Sequence, residues 1–461
     1  MSSEAVHVAL MPSAGMGHLI PCLRLASLLV QYHCKVTLIT TLPTVSLAEE
    51  QLISRFHSTF PQLNQIHLQL QKPSSPSHNS TTDPFFLRYE AIRASSNLLS
   101  PLLSSLSPPL SAFVTDVFLI SLLLPITHGL GLPNYILFTS SAAMFSFFSH
   151  FPTLVPSLPE LDDVKIPGIS PIPISSIPHM LLLPNTIFRK IVMEDSPKVT
   201  KFQGVFVNTF EALESQSLGA LNVGKVVKGM PPIYAIGPFK PCEFEQEGQW
   251  EAPLRWLDDK PVGSVVYVCF GSRTAMGRVQ IREVGEGLVR SGCRFLWVVK
   301  DKVVDREEEV ELDEVLGLEL EERMREKGLV VKQWVDQSVI LGHKAVGGFV
   351  SHCGWNSVIE AAWNGVPIMA WPQHGDQKIN AGVVEMSGWG MWNKDWDWAG
   401  EGVVKGDEIG EAIKEMMKNE SLKIKASQLK EAGRKATSVG GDCEVALKKL
   451  IQEWKKNVNN I

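Results

Sequence analysis

The chain has 461 residues, 44% of them hydrophobic and 20% charged, and 43 Lys and Arg stand against 49 Asp and Glu for a net charge of −6. That length exceeds one ordinary core, so a globular protein of two domains is expected. No basic stripe marks a nucleic-acid partner, and seven scattered cysteines without C-x-x-C spacing exclude a disulfide scaffold and a structural zinc, pointing to a reducing, cytoplasmic setting.

The opening "MSSEAVHVAL" lacks the basic region of a signal peptide. A strand-like run, "VHVAL", leads into "MPSAGMGHLIP", which begins like a dinucleotide loop with Gly15 and Gly17. Ile20 replaces the third glycine, and His18 occupies the place where a phosphate would dock. A helix is predicted to begin near His18, with Pro21 in its first turn and Leu19, Cys22, Leu23, Ala26 and Val30 as its buried stripe.

Further apolar runs follow: "KVTLITT", "IHLQL", "AFVTDVF" and "NYILFTS". Near-continuous apolar segments of this length read as strands of a parallel sheet buried on both faces. "FLISLLLPITHGLGLP" is short, broken by Pro125 and preceded by Asp116, so it reads as strand and helix and not as a membrane span. "VKIPGISPIPISSIPHMLLLP" is too rich in proline for a long helix and is expected to form an ordered surface loop.

After "GMPPIYAIGPFKPCEFEQEGQWEAP", read as a linker, the pattern repeats with "SVVYVCF", "RFLWVV", "LVVKQW", "VGGFVS" and "PIMAW". The charged stretch 301–327 reads as a solvated helical excursion. The expected organisation is α/β: a Rossmann-like domain over 1–240, a linker over 241–253, a second Rossmann-like domain over 254–440, and a helix over 441–461 packing back on the body. Two doubly wound domains facing a cleft bind ligands beyond the carboxyl ends of their strands.

The densest chemistry lies at 334–377. In "VGGFVSHCGWNSVIEAAW" a strand ends at Ser351 and "HCGWNS" opens a helix, whose free N–H groups and dipole make an anion site. Gly354 would let the backbone approach a ligand closely, Asn356 and Ser357 supply donors, and His352 adds a donor able to become cationic. Glu360, one turn beyond Asn356, can accept from ribose hydroxyls. Trp334 can stack on a base, and Asp376 with Gln377 can grip vicinal hydroxyls. Each has a plainer reading: helix capping for Asn356, Ser357 and Asp376, core packing for Trp334. The "DWD" at 395–397 matches a manganese-binding D-x-D but reads as a surface loop.

The span 334–377, with its opening Trp, "HCGWNS", following Glu and closing "DQ", resembles the C-terminal signature box of plant UDP-dependent glycosyltransferases of the GT-B fold. "FVNTFEALE", "YAIGPF" and "VVYVCFGS" are similar to the same family. The resemblance implies that Trp334 stacks on uracil, the Val335 backbone bonds its edge, and Gln337 and Glu360 hold the ribose. It implies further that His352, Asn356, Ser357 and Ser272 hold the diphosphate, and that Trp355, Asp376, Gln377 and Thr139 hold the hexose. Within that resemblance, the closing Gln377 implies glucose as the sugar.

A histidine suits removal of a phenol proton, and Asp116, an acid in an apolar strand, needs a partner. His18 oriented by Asp116 is a plausible base pair from the residues, and the resemblance assigns both that role. "TDPFF", "FGSRTAMGR", "RSGCRFLWVVKDK" and "PQHGDQ" most resemble flavonoid-type C-glucosyltransferases. The implied reaction is inverting transfer of glucose from UDP-glucose to an aromatic carbon of a polyhydroxylated phenolic acceptor, of the 2-hydroxyflavanone, dihydrochalcone or benzophenone type. O-glucosylation of phenolic hydroxyls is the alternative. Phe85, Phe118, Met144 and Gly375, with Phe86, Phe145 and Phe148, are candidates for the acceptor pocket, core packing being their plainer fate.

No metal, no permanently bound cofactor, no nucleic acid, no membrane span and a monomeric state are expected. A nicotinamide oxidoreductase fails on Ile20 and on the lack of an acid after "LITTLPT". A non-catalytic nucleotide-sugar binder would need no base pair.

Overall fold

The computed structural model describes residues 6–71, 83–242, 251–271, 275–300, 311–332, 335–396 and 402–458. The chain divides into two compact units, one of Met1–Phe244 with Lys435–Ile461 and one of Glu245–Arg434. The second seam lies inside the helix Glu420–Thr437, where no change of composition marks it.

The first unit holds a seven-stranded parallel sheet: β1 (His7–Met11), β2 (Lys35–Leu42), β3 (Asn64–Gln69), β4 (Ala112–Asp116), β5 (Asn134–Phe138), β6 (Gly204–Val207) and β7 (Ile233–Ala235), in the order β3-β2-β1-β4-β5-β6-β7. Alternating side chains feed both faces. Val8 and Leu10 join a cluster with α1 (Met16–Gln31) and α2 (Leu47–Thr59), while Ala9 and Met11 join another with α3 (Pro84–Ala94) and, through Ile191, α4 (Ile187–Asp195). Helix Asp442–Val458 covers the first of these faces with Leu447, Leu450, Ile451 and a fully buried Trp454, whose ring meets Tyr135 at 5.4 Å.

Helix α1 starts earlier than the sequence suggested. Gly15, at φ 96°, is its N-cap, and its carbonyl accepts from the N–H groups of His18 and Leu19. Only glycine enters that backbone region without strain, and it offers no capping side chain for a pattern reader to notice. Pro21 therefore sits in the second turn and not the first, and Val30 is half-buried while Arg24, Leu25 and Leu29 are buried instead. The proline-rich zone forms a two-residue antiparallel ladder (Asp163–Val164 with Ile172–Pro173) and a short helix, His179–Leu182, anchored by buried Ile166, Ile177 and Leu181.

The second unit holds six parallel strands: β8 (Val265–Cys269), β9 (Arg294–Val298), β10 (Gly328–Val331), β11 (Val346–Ser351), β12 (Ile368–Ala370) and β13 (Gly390–Trp392), in the order β10-β9-β8-β11-β12-β13. Helices α5 (Gln337–Gly342), α6 (Trp355–Asn364) and α7 (Gln377–Met386) follow β10, β11 and β12. The two units thus repeat one winding order, with a switch point between β1 and β4 in the first and between β8 and β11 in the second. All seven cysteines are free thiols. Among the described residues, no helix is long and apolar enough to cross a membrane.

Candidate active site

In the first unit, the carboxyl ends of the neighbouring strands β1 and β4 bring two distant residues together. His18 Nδ1 lies 2.9 Å from Asp116 Oδ2, with the histidine side chain 16% exposed and the aspartate 1%. The carboxylate is itself fixed, because its Oδ1 accepts from the Phe118 N–H at 3.0 Å. A carboxylate only accepts, so Nδ1 carries the proton and Nε2 keeps its lone pair, the tautomer a general base needs. Asp116 also bears on Cys22, whose buried thiol is pushed well above its usual range by burial and then by that nearby negative charge.

The surroundings are aromatic. Phe118 and Phe85 lie 5.1 and 5.7 Å from the His18 ring, centroid to centroid, and meet each other edge-on at 5.4 Å. Phe85 starts α3, set by Pro84 and by the Asp83 side chain, which accepts from the Phe85 N–H at 2.8 Å. Phe188 of α4, which the sequence did not single out, extends this wall at 5.8 Å from Phe118 and 6.4 Å from Phe86. Phe145 and Phe148 pack on Phe138 in the core, and Met144 is buried with its N–H bonded to Ser141 Oγ.

Thr139 Oγ1 lies 3.1 Å from His18 Nδ1, a second neighbour of the same ring nitrogen. The loop that carries it is tied down by Glu214, whose carboxylate accepts from the N–H groups of Ala142 and Ala143.

In the second unit, the loop after β11 turns through Cys353 at φ 61° into α6, whose N-cap Gly354 makes no side-chain cap bond. No helix cap from Asn356 or Ser357 is involved, since both lie inside the first turn. A Cβ on Gly354 would meet His352 Nε2 at 2.5 Å, and one on Gly271 would meet the same atom at 2.5 Å. Gly354 therefore makes room for the imidazole. His352 is lowered to about 4 by burial, then by the charge of His374, against a raising bond to the Cys269 backbone. It is a neutral donor or acceptor at physiological pH, not the cationic group the sequence allowed, because the buried ring cannot solvate a charge.

Glu360 is held by its neighbours: Gln337 Nε2 donates to Glu360 Oε2 at 2.8 Å and to Ser357 Oγ at 2.9 Å. Val335 and Trp355 are buried at 5% and 3% exposure. Asp376 occupies the N-cap of α7 yet makes no side-chain cap bond. Its Oδ2 accepts instead from Asn380 Nδ2 at 2.8 Å, and the same amide donates to the Cys353 carbonyl at 3.1 Å. Asn380, fully buried, thus ties the loop after β12 to the loop after β11. Reading the i, i+4 spacing from Asp376 would have found it.

Gln377 turns its carbonyl into its own loop, accepting from the N–H groups of Gln373 and His374, while its Nε2 lies 3.4 Å from His374 Nδ1. Gly375 has φ 64° and nothing within 4 Å of an added Cβ. Trp334, Ser272 and Asp397 lie outside the described residues. Among those described, no group of three or more His, Cys, Asp or Glu is arranged to hold a metal ion.

The family described as "UDP-glucoronosyl and UDP-glucosyl transferase" matches residues 260–434. UDP-glycosyltransferase 708G2 of Citrus unshiu is 54% identical over 98% of this chain and 97% of its own length. The chain belongs to the plant UDP-glycosyltransferase family. UDP-glycosyltransferase CGT of Oryza sativa subsp. indica is 46% identical over 94% of this chain and 93% of its own. The crystal structure of LpCGTa in complex with UDP superposes with a TM-score of 0.88 at 42% identity, covering 98% of this chain and 99% of that one. The protein is therefore a glycosyltransferase of the GT-B fold, close to the family's C-glucosyltransferases.

Proposed function

We propose that this glycosyltransferase moves glucose from UDP-glucose to an aromatic carbon of a polyhydroxylated phenol, with inversion to a β-C-glucoside. The observation that carries the reading is the His18–Asp116 pair at 2.9 Å, set among Phe85, Phe118 and Phe188. The aromatic wall suits a flat acceptor of the 2-hydroxyflavanone, dihydrochalcone or benzophenone type. His18 Nε2 takes the phenolic proton, and the imidazolium that forms is stabilised by Asp116. Phenolate charge is shared with the ortho carbon, which attacks the anomeric carbon as the bond to UDP breaks. His18 then returns its proton to the oxygen while the ring proton leaves that carbon to water, which restores the aromatic phenol.

On the donor side, the first turn of α6 with Asn356, Ser357 and neutral His352 faces the departing diphosphate. Gln337 and Glu360 take the ribose, Val335 and Trp334 the uracil, and Ser272 the diphosphate. Trp355, Asp376, Gln377 and Thr139 take the hexose. The family includes UDP-glucosyl transferases, and its CGT-designated relatives favour the carbon acceptor.

The same base and donor site would serve O-glucosylation, so product analysis decides. After incubation with UDP-glucose and phloretin or a 2-hydroxyflavanone, tandem mass spectra are expected to show cross-ring sugar losses from an acid-stable product. Loss of a whole hexose would overturn C-transfer in favour of the O-glucoside.

A further inference from the structure

Glu49 lies in the first turn of α2, far in sequence from His18, Phe85 and Asp116, and is buried at 6% exposure. Ser46 and Glu49 have the spacing of a helix capping box: Ser46 Oγ accepts from the Glu49 N–H at 3.2 Å, and the Glu49 carboxylate reaches back to the Val45 N–H at 3.0 Å and to Ser46. Those bonds are the helix's own business. A further bond is not. Glu49 Oε1 accepts from the Gly15 N–H at 2.8 Å, across 34 residues of sequence.

Gly15 is the residue from which the His18 turn is built. Its carbonyl accepts from the His18 and Leu19 N–H groups at 3.0 Å each, and as N-cap it has no side chain to fix the turn from within. At φ 96° its backbone sits where the unfolded glycine has many alternatives, so the turn needs an outside anchor. Phe85 closes the arrangement: its Cδ2 lies 3.8 Å from where a Gly15 Cβ would be, and its ring flanks His18. Burial pushes the Glu49 carboxyl up, opposed by its bonds from the Val45 and Gly15 N–H groups and then by the charge of buried Arg88, on the same helix as Phe85.

We infer that Glu49 is a positioning residue for the base: its carboxylate clamps the Gly15 amide, and through that turn it sets where His18 Nε2 meets the acceptor. This rests on the proposed role of His18. An anchor of this kind matters because misplacement of a base by about 1 Å costs on the order of a hundredfold in rate.

The test is Glu49→Gln, which keeps size and one acceptor oxygen but sets an amide group against backbone donors. Gly15→Ala strains the same turn from the other side, with room for its methyl. Each is assayed with a polyphenol and with its ring-fluorinated counterpart, whose phenols ionise near neutral pH and need the base less. UDP binding and melting temperature report whether the fold survives.

The expected result is a kcat loss of about tenfold to a hundredfold on the ordinary polyphenol and a much smaller loss on the fluorinated one, with KM for UDP-glucose unchanged. Equal losses on the two acceptors in both variants, or no loss in Glu49→Gln, would overturn the inference. His18→Ala is the control: if it keeps full turnover, the base assignment itself falls, whereas an inactive His18→Ala beside an unaffected Glu49→Gln overturns the Glu49 role alone.

Discussion

The two halves of this chain wind their sheets in the same order, and each places a histidine at its switch point, yet the two histidines sit in opposite surroundings. His18 is part-exposed and bonded to a carboxylate that would stabilise its charged form. His352 is wedged between two glycines, without an acid as partner among the described hydrogen bonds, and burial holds it neutral with its pKa lowered to about 4. Fold alone does not assign chemistry. The same turn after a strand holds an acid-paired histidine where a carboxylate sits on the neighbouring strand, and a sealed, neutral ring where glycines make room for it.

The largest expected effect breaks the first half alone. His18→Ala should lower turnover on phenolic acceptors by about 10³-fold while UDP affinity, measured by calorimetry, stays put. Unchanged turnover would remove the base from the comparison. Asp116→Asn leaves a side chain of the same shape but takes away the charge that holds the Nδ1 proton. A fall in kcat of about 10²-fold is expected, with little change in either KM.

Asn380→Ala probes the other half. It strips donors from the Cys353 carbonyl and from Asp376, so KM for UDP-glucose should rise about tenfold, with the acceptor KM unaffected. A variant with normal donor kinetics would show that the amide only fills space.

The smallest effect is a flat line. His352 is already neutral at neutral pH, so its titration should leave UDP affinity level between pH 6.5 and 9. The cost appears on the acid side. The folded pKa lies below the unfolded value of 6.5, so the unfolded chain takes up a proton the folded one refuses. Stability should fall as pH drops from 6.5 towards 4, by about 3 kcal/mol from this group, as read by denaturant melts. His352→Asn should flatten that slope; an unaltered slope would assign it to other groups.

Much of the fold was legible because parallel strands buried on both faces leave unbroken apolar runs: "VHVAL" and "VVYVCF" each yielded a central strand. The meeting of His18 with Asp116 was legible for a different reason, since an acid in an apolar strand demands a partner and both lay at strand ends. What stayed hidden depended on direction. The Thr139 hydroxyl lies beside the His18 ring, a contact that spacing along the chain does not reveal. The start of α1 was missed by two residues because its cap is a glycine, which contributes geometry and no side-chain signal. Phe188 and Glu49 reach the site from helices that have no sequence proximity to it.

The helix Asp442–Val458 has a temporal meaning as well as a spatial one. Its Trp454 completes the core that β5 and β6 begin, beside Tyr135 and Phe206. Every residue of the second unit is synthesised before that tryptophan. On the ribosome, the half that opens the chain must therefore wait with an uncovered sheet face while the later half can already fold. The order of synthesis and the order of completion are reversed, and a chain cut short before residue 442 would keep its second unit and lose the finished core of its first.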